Sequence, residues 1–174
     1  NCKHIFSEFH RCLKPGGAVR VTMPDYDYVF ESYQKGLLNI WGPCSFETPE
    51  QALCFSIATD LVDEINSDEL RANFTSMSKA EIGDYLIGLL TYDPATTDFS
   101  HHRNWFNYEK LRTCLSTAGF NDIYRSEALG SRFPEMRDAG QFLGIERFAR
   151  MPGVRGFDEK APDKSVFVEA VKDL

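Results

Sequence analysis

No stretch of these 174 residues approaches the roughly 18 consecutive apolar residues that a membrane-spanning helix needs, so no membrane span is expected. Positive charge is also scarce: 19 basic residues stand against 26 acidic ones, a net charge of −7. That balance disfavours a general nucleic-acid binder, which needs a basic surface against phosphate. There is no Cys-x-x-Cys pair, and the five cysteines are odd in number and scattered. Reduced thiols therefore fit better than a disulfide framework, and a cytoplasmic location is expected. No GxSxG turn, P-loop or Ser-His-Asp order is present, and no GxGxG turn follows a strand. Internal repeats and low-complexity tracts are absent too.

The stretch that organises the chain is His4–Asp25, HIFSEFHRCLKPGGAVRVTMPD. Ile5, Phe6, Phe9 and Leu13 recur at helical spacing and predict one buried face. Pro15-Gly16-Gly17 ends that helix, because proline blocks continuation and glycine accepts a left-handed exit. Ala18–Met23 reads as a short strand stopped by Pro24. Helix, glycine turn and strand together make one step of an α/β sheet.

LKPGG-AVRVTMPD resembles the fourth-helix-to-fifth-strand step of class I S-adenosylmethionine (SAM)-dependent methyltransferases, which are Rossmann-like. Two further segments are similar to the same family in the same order: HRNWFNYEKLRTCLSTAGF, with a histidine before the penultimate helix, and SVFVEAVK, the final antiparallel strand. The resemblance implies a partial Rossmann-like fold with three strands, near 18–23, 121–127 and 165–171, the last one antiparallel and lying between the other two. It implies SAM as cofactor and a small-molecule or sugar- or lipid-linked methyl acceptor. In the family, the glycine-rich turn and the acidic residue that hold SAM lie upstream of the segments matched here. The expectation is therefore a C-terminal, substrate-side part of a methyltransferase, a single domain over residues 1–174 that is inactive alone. The strand at 18–23 would then present an open edge, and self-association through it is expected. The competing reading is a non-catalytic truncated domain that acts as a self-associating interaction module.

Between the first two strands, residues 26–100 read as a helical insertion, either roofing the substrate side or only covering sheet hydrophobics. Asp25 can cap a helix over Tyr26–Lys35. Thr48-Pro49-Glu50-Gln51 is a capping box with proline at the first helical position, opening a helix predicted to reach about Asn66. A short helix is predicted over Asp68–Phe74. Ser78 and Glu81 form a second capping box, for a helix to about Leu90. Asn107 caps a helix to Ala118, closed by Gly119. The segment Gly130–Lys164 is irregular, with a short helix near Gln141–Phe148.

His102 is the first candidate for chemistry: a loop histidine before a helix can act as a base near neutral pH, or it can simply bond the insertion. His101 is its alternative. Asp25 follows the C-terminal end of a strand, where open α/β sheets bind ligands, and could hold substrate, accept a proton or cap the next helix. Arg103 and Trp105 could clamp an acidic substrate, and Tyr26 could pack on it; helix packing explains Tyr26 as well. Cys2, His4, His10 and Cys12 do not make a metal site, because helical positions two apart point about 200° apart and cannot converge on one ion. Arg132, Arg137, Arg147, Arg150 and Arg155 form either a polyanion or partner surface or, in the simpler reading, solvated charge.

Overall fold

The computed structural model describes residues 2–40, 46–92, 101–127, 130–137 and 164–174. The expected helix near 141–148 and Arg147, Arg150 and Arg155 lie outside the described residues. Among the described residues there are six α-helices and three strands, in the order α1 (Cys2–Cys12), β1 (Ala18–Pro24), α2 (Tyr26–Gln34), α3 (Pro49–Ile57), α4 (Ser67–Phe74), α5 (Lys79–Gly88), α6 (Tyr108–Thr117), β2 (Asp122–Ser126) and β3 (Ser165–Val171). No described helix is long and apolar enough to cross a membrane. The chain divides into two compact units, 1–25 with 106–174, and 26–105.

The first unit is an α/β sheet unit with strand order β1-β3-β2. Strand β3 runs antiparallel to both neighbours, pairing Val168 with Val21 on one side and with Arg125 on the other. β1 and β2 are therefore parallel to each other, and among the described residues each is laddered only to β3. Alternation along β3 sorts its side chains. Val166, Val168 and Ala170 join Phe6, Val21, Leu111, Leu115 and Phe120 in one buried cluster with α1 and α6. Asn107 caps α6 by accepting from the Lys110 N–H, and Gly119 takes φ 104° to end the helix.

Helix α1 departs from its expected burial. Phe6 is buried, with Cys2 and Leu13 packed beside it, whereas Ile5 is 51% and Phe9 42% exposed. The stripe through positions 2, 6, 10 and 13 meets the rest of the unit, with the His10 ring edge-on to Phe120 at 5.0 Å, while Ile5 and Phe9, half of the predicted apolar face, stay largely in solvent.

The second unit is helical. Both capping boxes form: Thr48 with Gln51 opens α3, and Ser78 with Glu81 opens α5. The predicted helix to Asn66 stops instead at Ile57, followed by a 3₁₀ turn over Thr59–Leu61. Ala58 leaves helical geometry at φ −146°, ψ 59°, and its backbone bridges to Arg103. A pairing 45 positions away in sequence thus overrides local propensity. Inside this unit Glu50 is 1% exposed; its carboxylate accepts from Arg71 Nε at 3.0 Å and Nη2 at 2.9 Å, with the Tyr33 hydroxyl at 3.4 Å.

Gly83 in α5 offers a test of packing in the helical unit. A Cβ there would lie 2.6 Å from Trp105 Nε1, and that ring is held by a 2.8 Å hydrogen bond to Asp84 and by tilted packing against Tyr26. Replacing a mid-helix glycine by alanine normally gains about 1 kcal/mol. Here overpacking costs about 1–3 kcal/mol and wins. Gly83→Ala is expected to lower the urea midpoint; a raised midpoint would show that the ring is not fixed.

Candidate functional site

Asp25 directly follows β1 in the sheet unit and is 5% exposed. Its backbone N–H donates to the Lys164 carbonyl at 2.9 Å, and its carboxylate accepts from Arg125 Nη2 at 2.8 Å. A parallel bridge joins its backbone to Phe106. Arg125 lies on β2, so the two strand ends flanking β3 are tied by a charge-assisted hydrogen bond. A carboxylate held in this way is positioned at the C-terminal end of a strand.

His101, His102, Arg103, Tyr26 and Trp105 all belong to the helical unit. The Asp60 carboxylate, in the 3₁₀ turn, gathers two of them: His101 Nδ1 lies 2.5 Å from Oδ1, and Arg103 Nη1 bonds to Oδ2. Arg103 also donates to the Thr91 carbonyl and lies 5.9 Å from the centroid of the Tyr92 ring. His102 is fastened by its backbone, its carbonyl accepting from Thr59 N–H at 2.9 Å and its N–H donating to Thr59 Oγ1 at 3.0 Å. Its ring makes no hydrogen bond to any described residue. Burial among neighbouring atoms, followed by the charge of His101, lowers the His102 pKa from the ordinary 6.5. A neutral ring can accept a proton, as a general base requires.

Trp105 and Tyr26 occupy the interior. Tyr26 exposes none of its surface and Trp105 7%, their rings meeting at 4.8 Å between centroids. The Tyr26 hydroxyl donates to the Lys79 carbonyl at 2.8 Å, and burial, with the charges of Asp84 and Asp27, pushes its pKa well up. In this arrangement both rings pack the helical unit.

Three groups were not singled out from sequence. Asp60 and Arg125 carry no local signal, since their partners are 41 and 100 positions away. The third is Glu169 on β3, 0% exposed, which accepts from Arg20, Tyr124, Ser126 and Ser131. Burial works against its charge, but the bonds from Tyr124, Ser131 and Ser126 and the Arg20 charge prevail, so its pKa lies below 4.5. The readable signal was a single opposite charge inside each of two apolar strands.

The described residues do not supply a SAM cradle. Gly16, Gly36 and Gly119 are the described residues with positive φ, and each follows a helix rather than opening one after a strand. Such a cradle needs the N-terminus of a helix entered from a glycine turn. Compared with family models, with curated proteins and with solved structures, the chain matches none.

The lowered His102 pKa has a definite sign. Folding favours the neutral ring, so its contribution to stability is complete above 6.5 and is lost as pH falls through the lower folded value. An NMR titration of the His102 Cε1–H is expected to give a midpoint below 6.5. A midpoint at or above that value contradicts the assigned environment.

Proposed function

We propose that this chain forms the substrate side of a SAM-dependent methyltransferase acting on a small-molecule or sugar- or lipid-linked acceptor. The observation that carries the reading is the sheet order β1-β3-β2, with the C-terminal strand antiparallel between two parallel ones. The same order is implied by the resemblance of LKPGG, the His-Arg segment and the final strand. Asp25 in the sheet unit and His102 in the helical unit are separate candidates for orienting the acceptor or for taking its proton where it must lose one, the first held by Arg125 and the second kept neutral by its lowered pKa. The glycine turn for SAM comes from residues other than those described.

The complete reading frame that encodes this chain tests this directly. The reading requires it to encode a strand, a GxGxG turn and a helix, with an acidic residue ending the following strand; a complete reading frame without them overturns the reading. In the protein from that full reading frame, His102→Ala is expected to lower transfer of labelled methyl from SAM into a small-molecule extract by at least about 10²-fold. Undiminished transfer would remove His102 from the role of base.

A second reading, a self-associating module, draws on β1. Among the described residues this strand is paired on one side only, and the exposed Ile5 and Phe9 lie on the helix that precedes it. Sedimentation of the chain at micromolar concentration is expected to give a dimer on this reading; a monomer would contradict it.

A further inference from the structure

Thr59 stands where a helix end and a strand-like pairing compete for the same backbone groups. Ala58 bridges antiparallel to Arg103, so the next pair along, Thr59 and His102, is due to exchange two backbone hydrogen bonds. One is made: Thr59 N–H donates to the His102 carbonyl at 2.9 Å. The return bond cannot follow the usual path, because the Thr59 carbonyl accepts from Val62 N–H at 3.2 Å in the 3₁₀ turn. The His102 N–H donates instead to Thr59 Oγ1, at 3.0 Å.

The same hydroxyl fills a second gap. Had α3 continued, Thr59 N–H would donate to the Phe55 carbonyl, four positions back. That N–H is engaged by His102, and the Thr59 hydroxyl donates to the Phe55 carbonyl in its place, at 2.9 Å. A hydroxyl has one proton to give and two lone pairs to offer, so a single Oγ can serve both sides. The result is a chain from the His102 amide through Thr59 Oγ1 to the last turn of α3, each bond polarising the next. Asp60 holds the residues on either side of His102, bonding His101 Nδ1 at 2.5 Å and Arg103 Nη1. With its backbone held, the His102 ring has only the rotamers that this backbone allows.

We propose that Thr59 is the positioning residue for His102, its hydroxyl fixing the direction from which the imidazole meets a proton donor. The role rests on the reading of His102 as a candidate base. It also accounts for the residue type, because position 59 needs a side chain that donates and accepts from Cβ. Thr59→Val keeps the shape but leaves the His102 N–H and the Phe55 carbonyl without these bonds. Thr59→Ser keeps the hydroxyl and loses only a methyl group.

The test follows the His102 amide by hydrogen exchange and the His102 Cε1–H by NMR titration in this chain, with melting temperature as the control for folding. In Thr59→Val the amide is expected to exchange about 10-fold faster or more. The ring midpoint is expected to rise from its lowered value towards 6.5, as the ring leaves its packed surroundings. Thr59→Ser is expected to keep both properties. A Thr59→Val chain with unchanged exchange and midpoint overturns the proposal. So does a Thr59→Ser chain whose midpoint reaches 6.5, which decides the matter even where Thr59→Val does not fold. In the protein from the complete reading frame, Thr59→Val is expected to lower kcat for methyl transfer about 10-fold at unchanged KM for SAM, and Thr59→Ser to retain it. Equal kcat in all three proteins contradicts a positioning role. Absence of transfer by the unsubstituted protein overturns the proposed function instead, and the amide and ring measurements still decide the role of Thr59.

Discussion

Strand β3 follows the other two strands in sequence, yet it sits in the middle of the sheet, because β1 and β2 are parallel and, among the described residues, are joined only through it. On one face it supplies Val166, Val168 and Ala170 to the core. On the other it buries Glu169, the single charge that all three strands share: Arg20 reaches it from β1, and Tyr124 and Ser126 from β2. Ser131 adds a bond at 2.9 Å, and Arg20 also holds the Glu127 and Gly130 carbonyls. Burying a carboxylate is costly unless every lone pair is occupied, and here four side chains occupy them. Removing one partner of such a pair costs about 3–5 kcal/mol, because the other charge is left buried alone. The pairing spans 149 positions, so the sheet closes only after a large loop has been ordered.

The helical unit also ties its elements through carboxylates, Glu50 buried and Asp60 28% exposed. Glu50, in the first turn of α3, is buried against the Arg71 fork, so α3 and α4 share a charge-assisted contact. Asp60 does the equivalent for the segment that returns to the sheet unit, fixing His101 and Arg103 while Thr59 holds the His102 backbone. The local consequence is a broken helix at Ala58. The functional one is that His102 has a fixed backbone and a ring without a hydrogen-bond partner among the described residues.

Legibility in the sequence followed the range of the interaction. Thr48-Pro49-Glu50-Gln51, Ser78 with Glu81, and Asn107 with Gly119 are local signals, and the helices they bracket start where expected. The three strands and the central place of the last one were also readable, from alternation and from the resemblance. The end of α3 was not, since it is set by a backbone bridge to Arg103. Periodicity gave Ile5 and Phe9 the same inward face as Phe6, but a helix stripe is buried only as far as its neighbours extend. Of the candidate site, Asp25, His101, His102 and Arg103 could be picked out by residue type and position. The partners that hold them, Arg125 and Asp60, could not, because nothing nearby in sequence marks a carboxylate or guanidinium for a contact many positions away.

On the proposed function the chain is the acceptor side of a SAM-dependent enzyme. Equilibrium calorimetry of SAM and S-adenosylhomocysteine with the protein from the full reading frame tests that most directly. Saturable binding of both, with dissociation constants near micromolar and one site per chain, is the expected result. No heat of binding for either ligand, from a protein that melts cooperatively, would contradict it.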